Sequence, residues 1–387
     1  MLTYFADSYG NASSMNSFGR DAKEALEESR KKIADFMNAD PEGLIFTGSA
    51  TEANNLILKG HAFEAGKHSC HIAVSTIDHD CVLNSVKWLE KQGFRISYLP
   101  VDSFGLLRID ALEKVLEEDV TLVSVVHGNN EIGTVQHVKE IAKMCHKHGS
   151  FFHTDAVQSF GKLPIDVESM CIDSMTINAH KMYGPKGVGA LYVDRDLEIA
   201  PLIHGGSHEF GKRAGTENIP SIVGFAKAVE LREREMEAEG TRLCRLRDQL
   251  IRAALKIVDA YLNGHPTRRL PNNVNLRFSH LEGEAIVLDL DTEGIAASSA
   301  SACSSKSSAP SHVLLAIGLK PEEARGSLRL SLGKQNSAED MEFTAQQLAK
   351  IVERLRGISP LTPKSAHGST SAETISKKSA FMNASQD

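Results

Sequence analysis

Short apolar, β-branched runs alternate with amphipathic helical segments from Leu44 to about Val193. This alternation predicts a largely parallel β-sheet with helices on both faces. The runs that predict strands are 44–47, 72–75, 96–99, 121–126, 151–154, 174–177 and 188–193, and the intervening helical segments include 22–37, 81–92, 109–116 and 138–148. In such a sheet, ligands bind beyond the carboxyl ends of the strands.

The second half of the chain has a different pattern and predicts a smaller α+β domain. One long helix, or two helices broken near Gly240, is predicted over 221–257. The further predicted elements are a strand over 273–278, a helix over 282–290, a strand over 327–332 and a helix over 338–356. After Pro360 the chain is rich in Ser, Thr and Lys, with too few apolar residues to offset the entropy of ordering. We therefore expect a large domain over 1–257, a small domain over 258–360 and a disordered tail over 361–387.

Composition and charge narrow the class of protein. The chain is 41% hydrophobic and 24% charged, as in ordinary globular proteins, and its net charge is −7. That charge disfavours direct binding of nucleic acid through a basic surface. The sequence contains no run of 18 apolar residues and no secretory signal, so we expect a cytoplasmic protein without a membrane span.

Six cysteines are present, and in a chain of this length with no export signal reduced thiols are favoured over a disulfide framework. The ordinary interpretation of a cysteine is a small buried apolar residue. Cys303 does not fit it, because it lies in a loop of Ser and Ala over 298–306. We expect Cys303 to be an exposed nucleophile on a mobile loop. The segment Cys145-His146-Lys147-His148 lacks a second ligand pair, so no metal site is predicted.

Four polar clusters directly follow predicted strands, at 47–52, 127–133, 154–158 and 178–181. Each alone has an ordinary explanation, such as helix capping by Ser49 or Thr51 or a solvated loop. Together they place Asp155 after one strand and Lys181 after another. A carboxylate for a pyridinium nitrogen, a lysine for an aldehyde and a helix start for a phosphate are the groups that bind pyridoxal phosphate. His79 is either a general base or simply a residue at a helix start.

As a set, these residues resemble the cysteine desulfurases of the NifS/IscS type, within the class-V aminotransferases. The resemblance extends from about Met1 to Pro360. It rests on Ala50-Thr51-Glu52 with Asn55, His79, Asn129-Asn130-Glu131-Ile132-Gly133, Asp155 with Gln158, His180-Lys181, Tyr183-Gly184-Pro185-Lys186-Gly187, Arg213-Ala214-Gly215-Thr216, Ser301-Ala302-Cys303, Pro310-Ser311-His312-Val313-Leu314 and Arg329. It implies the fold type I of pyridoxal-phosphate enzymes, with a mostly parallel seven-stranded sheet in the large domain.

The resemblance also implies a role for each motif residue. Lys181 would bind the cofactor covalently and move the proton at the substrate Cα, while Asp155 would pair with the ring nitrogen. His79 would stack on the ring and shuttle protons, and Gln158 would bind the phenolic oxygen. The phosphate would be held by Ala50, Thr51, Asn178 and His180, together with Thr216 of a partner subunit. Arg329 and Asn130 would bind the substrate carboxylate, and Cys303 would take the sulfur as a persulfide.

The implied function is desulfuration of L-cysteine to L-alanine by a homodimer. The sulfur would pass to an iron–sulfur scaffold protein or another acceptor, for cluster assembly or thiolation of tRNA. Two alternatives stay open: a selenocysteine lyase, and an impaired scaffold subunit that uses Cys303 as a cluster ligand.

Three departures from the family pattern are visible in the sequence. The family usually begins with a short strand and a helix before the Gly10-Asn11 segment, which here comes almost at once, so we expect either a misassigned start or a more open site with impaired activity. Gly48-Ser49 inverts the usual order in the phosphate turn. Asn178 stands where many relatives have Ser, and it can still donate a hydrogen bond.

Overall fold

The computed structural model describes residues 1–299 and 309–359. The proposed nucleophile Cys303 and the predicted disordered tail therefore lie outside the described residues. The chain divides into two compact units. Unit 1 comprises 1–100, 108–128 and 136–237, and unit 2 comprises 101–107, 129–135 and the chain from 238 onward. Within the described ranges, every helix is too short or too polar to cross a membrane.

Unit 1 contains a seven-stranded sheet with the strand order β1-β7-β6-β5-β4-β2-β3. Every neighbouring pair is parallel except those of β7, which runs antiparallel to β1 and β6. The strands are β1 Leu44–Thr47, β2 His71–Ser75, β3 Arg95–Leu99, β4 Leu122–Ser124, β5 Phe151–Asp155, β6 Ser174–Asn178 and β7 Gly189–Val193. This topology confirms the predicted mostly parallel seven-stranded sheet.

A helix follows each of the strands β1 to β4, because the apolar face of such a helix needs the sheet as a partner. In β2, β6 and β7 every residue is buried, as expected of strands covered on both faces. The helices are α1 Leu2–Ala6, α2 Ser17–Phe36, α3 Ala50–Ala65, α4 Asp80–Lys91, α5 Ile109–Leu116, α6 Val138–Lys147 and α7 Ile219–Ala254. Short 3-10 helices cover Pro41–Gly43, Ala179–Met182 and Glu209–Gly211.

Unit 2 contains a four-stranded antiparallel sheet with the order β10-β11-β9-β8. Its core joins the end of α7 to the sheet and to the last helix, through residues such as Leu250, Phe278 and Leu348. The elements are β8 Ala260–Leu262, β9 Asn273–Phe278, α8 Gly283–Thr292, β10 Ser298–Ser299, α9 His312–Ala316, α10 Pro321–Arg325, β11 Ser327–Ser331 and α11 Ala338–Ile358. The smaller α+β unit is confirmed.

The unit boundary falls after Glu237, inside α7, whereas the sequence places it at residue 257. A continuous helix gives no change of composition at such a boundary, and α7 passes through Gly240 as one helix. Two short segments, 101–107 and 129–135, belong to unit 2 although they lie within the first half of the chain. The second of them contains Asn130.

Phe278 offers a test of the unit 2 core, since it is 1% exposed and lies at the end of β9. Replacing Phe278 with Ala removes a large side chain from a packed site and should lower the free energy of unfolding by about 3–5 kcal/mol. Urea denaturation followed by circular dichroism measures this loss. Phe343→Ala is the matched control, because Phe343 is 44% exposed on α11 and its removal should cost less than about 1 kcal/mol. Equal losses for the two variants would contradict the assigned packing.

Candidate active site

A buried carboxylate marks the end of β5. Asp155 is 6% exposed, and its Oδ2 accepts a hydrogen bond of 2.7 Å from Nδ2 of Asn54 on α3. Its Oδ1 accepts one of 3.0 Å from the backbone N–H of Val157. Burial raises the pKa of Asp155, while these two hydrogen bonds and the nearby His79 act in the opposite direction. The arrangement favours a cationic partner for the carboxylate.

A second buried carboxylate lies near the first. Asp78 follows β2 and is fully buried, and its Oδ1 accepts a hydrogen bond of 2.5 Å from the backbone N–H of Val126. Its Oδ2 accepts one of 3.1 Å from the backbone N–H of Ser75. Burial raises the pKa of Asp78 well above its ordinary value, and the charge of Asp155 adds to this effect. Asp78 therefore links the end of β2 to the residues that follow β4.

His79 is the N-cap residue of α4. Its Nδ1 accepts a hydrogen bond of 3.2 Å from the backbone N–H of Cys81 and lies 3.1 Å from the Cys81 Sγ. Because Nδ1 accepts, the proton of the neutral imidazole lies on Nε2. Burial, together with the nearby Asp155, raises the pKa of Cys81 to about 12, so its thiol stays protonated at neutral pH.

Sequence reasoning missed two residues of this cluster. It grouped Cys81 with the structural thiols, although its Sγ also lies 3.1 Å from Asn54 Nδ2. It named Asn55 in the motif, but Asn55 bonds back to the Thr51 carbonyl, and the neighbouring Asn54 reaches Asp155. The helical repeat of α3 was the signal that could have distinguished Asn54 from Asn55, because it puts Asn54 on the buried face of the helix.

The start of α3 forms a compact turn. Ser49 is the N-cap, and its Oγ accepts a hydrogen bond from the backbone N–H of Glu52. The inverted Gly48-Ser49 order therefore puts the hydroxyl at the capping position. The first turn leaves the N–H groups of Ala50 and Thr51 without an acceptor inside the helix. A Cβ built on Gly189 of β7 would lie 2.9 Å from the Ala50 nitrogen, so only glycine allows this approach.

Lys181 lies in the 3-10 helix that directly follows β6. It is exposed, and its charge contributes to a lowered pKa of His180, for which burial is the larger cause. His180 Nδ1 lies 2.8 Å from Oδ1 of Asn178, the last residue of β6. Burial also lowers the pKa of the nearby Lys162 to about 7, and the charges of Lys181 and Arg232 assist. The turn ends at Tyr183, which has a φ of +69°.

In unit 2, the structure brings Arg329 and Asn130 together. Arg329 lies on β11, and its Nη1 donates a hydrogen bond of 3.1 Å to the Asn130 carbonyl. The segment that carries Asn130 is held by β9, because Asn273 and Asn275 each donate a hydrogen bond of 3.0 Å to the Glu131 carbonyl.

Most of the predicted site residues lie in unit 1. In unit 1, the structure places Ala50, Thr51, His79, Asp155, Asn178, His180 and Lys181 at strand ends or helix starts that follow strands. Gln158 follows β5, and its carbonyl accepts a hydrogen bond of 2.7 Å from Lys162 Nζ. Thr216 is exposed. Asn130 and Arg329 lie together in unit 2, and Cys303 lies outside the described residues.

The residues of unit 1 fit pyridoxal phosphate. The buried Asp155 offers an acceptor to a protonated ring nitrogen, and the free N–H groups at the start of α3 offer donors to a phosphate. Asn54 Oδ1 is buried without a hydrogen-bond partner in the described structure, so the cluster has capacity for a further donor. Lys181 would supply the amine. Among residues 1–299 and 309–359, no three His, Cys, Asp or Glu side chains are grouped to hold a metal ion.

Comparisons with known proteins agree with this geometry. The family model described as "Aminotransferase class-V" matches residues 1–343. The chain is 49% identical to a protein named cysteine desulfurase IscS 1 from Archaeoglobus fulgidus, over 93% of this chain and 94% of that one. It is 47% identical to the cysteine desulfurase IscS of Methanosarcina thermophila, over 94% and 90% of the two chains. The solved structure of a NifS-like protein superposes with a TM-score of 0.85 at 34% identity, over 92% of this chain and 94% of that chain.

Three buried neutral histidines of unit 1 predict a loss of stability in acid. Burial lowers the pKa of His61 and His127 to about 4 and that of His153 to about 3. An unfolded histidine has a pKa of about 6.5, so below that pH only the unfolded chain binds these protons. Stability is therefore full above about pH 6.5 and falls as the pH drops toward 4, by up to about 1.4 kcal/mol per pH unit for each histidine.

Urea denaturation at pH 7, 6 and 5 measures this slope. In His153→Gln the dependence of the free energy of unfolding on pH should become shallower by the contribution of one histidine, whatever the variant's stability at pH 7. The raised pKa values of Asp78 and Asp155 act in the opposite direction, but they are common to both proteins. An unchanged slope in the variant would show that His153 is not held neutral by burial.

Proposed function

The chain belongs to the class-V aminotransferase family, and we propose that it acts as a pyridoxal-phosphate-dependent cysteine desulfurase. Its substrate is L-cysteine and its products are L-alanine and a persulfide on Cys303. The observation that carries the proposal is the position of Asp155 at the end of β5 and of Lys181 in the turn that follows the neighbouring strand β6. A non-catalytic scaffold has no use for this pairing of a buried acid with a lysine.

Asp155 and its neighbours would set the charge of the ring. Pyridoxal phosphate, when bound, supplies an electron sink for the bonds of an amino acid. Asp155 would hold the ring nitrogen in its protonated form, and Asn54 fixes the orientation of this carboxylate through the 2.7 Å hydrogen bond. His79 keeps its Nε2 proton available for transfer, because Cys81 occupies Nδ1. Gln158 would donate to the phenolic oxygen of the ring.

Substrate binding and proton movement would use different residues. Arg329 and Asn130 of unit 2 would bind the substrate carboxylate, because a guanidinium can form two parallel hydrogen bonds to it. Lys181 would hold the cofactor and, once released by the substrate, take the proton from the substrate Cα. The phosphate of the cofactor would be held by Ala50, Thr51, Asn178 and His180.

Cys303 would take the sulfur. Its thiolate attacks the substrate sulfur, so a sulfur–sulfur bond forms as the bond between Cβ and sulfur breaks. The electron pair of the broken bond stays with Cβ, which then takes up a proton to give alanine. The Cys303 persulfide carries sulfur at the zero-valent level, and no external oxidant is needed. An acceptor protein for iron–sulfur cluster assembly or thiolation of tRNA would then receive the sulfur.

We further propose a homodimer in which Thr216 of one protomer reaches the cofactor phosphate of its partner. Exposed apolar side chains near the start of the chain support an interface, since Leu2 is 84% and Met15 is 93% exposed. We propose a cytoplasmic location. The five described cysteines, Cys70, Cys81, Cys145, Cys171 and Cys244, are free thiols, as a reducing compartment would leave them.

The Cys303→Ser variant should bind pyridoxal phosphate with its usual colour but lose release of sulfide from cysteine. A serine cannot form the persulfide, whereas the cofactor site in unit 1 is unaltered. Mass spectrometry of the wild-type protein after treatment with cysteine should find about 32 Da, the mass of one sulfur atom, added to the peptide that contains Cys303.

The other thiols serve as an internal control. Burial raises the pKa of Cys70 to about 11 and that of Cys145 to about 12, so neither should gain sulfur at neutral pH. A wild-type protein that releases sulfide while Cys303 stays unmodified would refute the role of Cys303. Sulfide release by Cys303→Ser at the wild-type rate would do the same.

Lys181→Ala should abolish the covalent attachment of the cofactor and slow the turnover of cysteine by about 10³-fold or more, since both the amine and the proton carrier are lost. Reduction with borohydride, followed by peptide mass spectrometry, locates the attachment in the wild-type protein. Lys162→Met is the comparison variant, because Lys162 lies near Lys181 but should not carry the cofactor. Attachment that persists in Lys181→Ala would disprove the assignment.

A further inference from the structure

The Glu52 carboxylate lies beside the place where the proposed function requires the phosphate of the cofactor. The role of this carboxylate in cofactor binding rests on that proposed function. Glu52 is in the first turn of α3, and its Oε2 accepts a hydrogen bond of 2.9 Å from the backbone N–H of Gly48. An acidic residue at this position stabilises the helix through the helix dipole. The same negative charge repels a phosphate dianion bound at Ala50 and Thr51.

Arg213 compensates this charge. Its Nε donates a hydrogen bond of 2.8 Å to Oε1 of Glu52, so the two oxygens of the carboxylate are occupied by different partners. The Arg213 and Glu52 side chains are only 24% and 25% exposed, so solvent screens the pair less than it would a pair on the open surface. The pair is thus positioned to cancel the negative charge beside the first turn of α3.

A strained segment leads to Arg213. Glu209, Phe210 and Gly211 are consecutive residues with φ of +45°, +56° and +76°. The first two are not glycine, so a left-handed backbone is unfavourable for them, and it persists only when other contacts fix it. The contacts that hold this segment in place therefore also determine the backbone position of Arg213.

Arg30 provides those contacts. Its Nη1 and Nη2 each donate a hydrogen bond of 2.9 Å to the Glu209 carboxylate, and the two side chains are 3% and 2% exposed. The guanidinium lies 4.9 Å from the ring centroids of both Phe46 and Phe210. Glu209 also accepts a hydrogen bond of 2.7 Å from the backbone N–H of Phe46 on β1. The segment is thereby fixed to α2 and β1.

We propose that Arg213 is a positioning residue that neutralises Glu52, so that the start of α3 accepts the phosphate of the cofactor. The buried Arg30–Glu209 pair holds the segment that carries Arg213. In this arrangement Glu52 stabilises the turn at the start of α3 without repelling the phosphate of the cofactor.

The test compares the dissociation constants of pyridoxal phosphate and pyridoxal for the full-length, cofactor-free protein. Arg213→Gln should weaken binding of pyridoxal phosphate about tenfold or more, because the Glu52 charge is left uncompensated. Binding of pyridoxal, which lacks the phosphate, should change little. Arg213→Lys keeps the charge and should retain most of the affinity.

A double variant of Glu52 and Arg213 distinguishes neutralisation of the Glu52 charge from other roles of Arg213. Glu52→Gln in the Arg213→Gln background should restore affinity for pyridoxal phosphate, since glutamine can still accept from Gly48 but carries no charge. Glu52→Gln alone should bind at least as tightly as the wild type. Arg195→Gln is the control for loss of an arginine, because Arg195 pairs with Asp40 through an exposed contact of 2.6 Å.

Three results would overturn the inference. They are unchanged affinity in Arg213→Gln, no recovery in the double variant, and equal losses for pyridoxal and pyridoxal phosphate. No recovery would mean that Arg213 binds the phosphate itself or supports the fold, and the melting temperatures of the variants decide between these. A wild-type protein that neither binds pyridoxal phosphate nor releases sulfide would instead refute the proposed function.

Discussion

The candidate site depends on the cost of burying the Asp155 carboxylate. A buried charge without a partner is among the most unfavourable features that a folded protein can contain. Asn54 and the Val157 N–H meet part of this cost, and the Asp155 charge in turn adds to the raised pKa of the neighbouring Asp78. A positively charged ring nitrogen would balance the cluster. The same low polarity that makes Asp155 costly makes it a strong partner for that cation.

The positions of Asp155 and Lys181 could be predicted from the sequence because both lie where strands of the sheet end. Parallel strands bring their carboxyl ends to one edge, and β5 and β6 are neighbours in the sheet. Asp155 ends β5 and Lys181 comes shortly after β6, so the two residues, although 26 positions apart in the chain, lie at the ends of adjacent strands. The apolar runs that predict the strands also predict this edge, since strands buried on both faces have a nearly continuous apolar pattern.

Some contacts depend on which face of a helix a residue occupies or on which residue caps a helix. These contacts could not be predicted from the sequence in the same way. Both Asn54 and Asn55 are polar, and only the packing of α3 on the sheet decides that Asn54 faces Asp155. Cys81 reaches His79 because that histidine caps α4. The unit boundary inside α7 was also invisible, because a continuous helix has no composition change where its packing partners change.

The start of α3 shows how stability and binding can require opposite charges at one place. A helix start is stabilised by an acid, and Glu52 satisfies this need together with the cap at Ser49. A phosphate needs the same positive end of the helix and is repelled by that acid. The conflict disappears only if a cation is fixed at the acid, and a flexible arginine would lose much of the gain to entropy. The buried Arg30–Glu209 pair fixes the segment that precedes Arg213, so the ordering cost is met by folding and not by ligand binding.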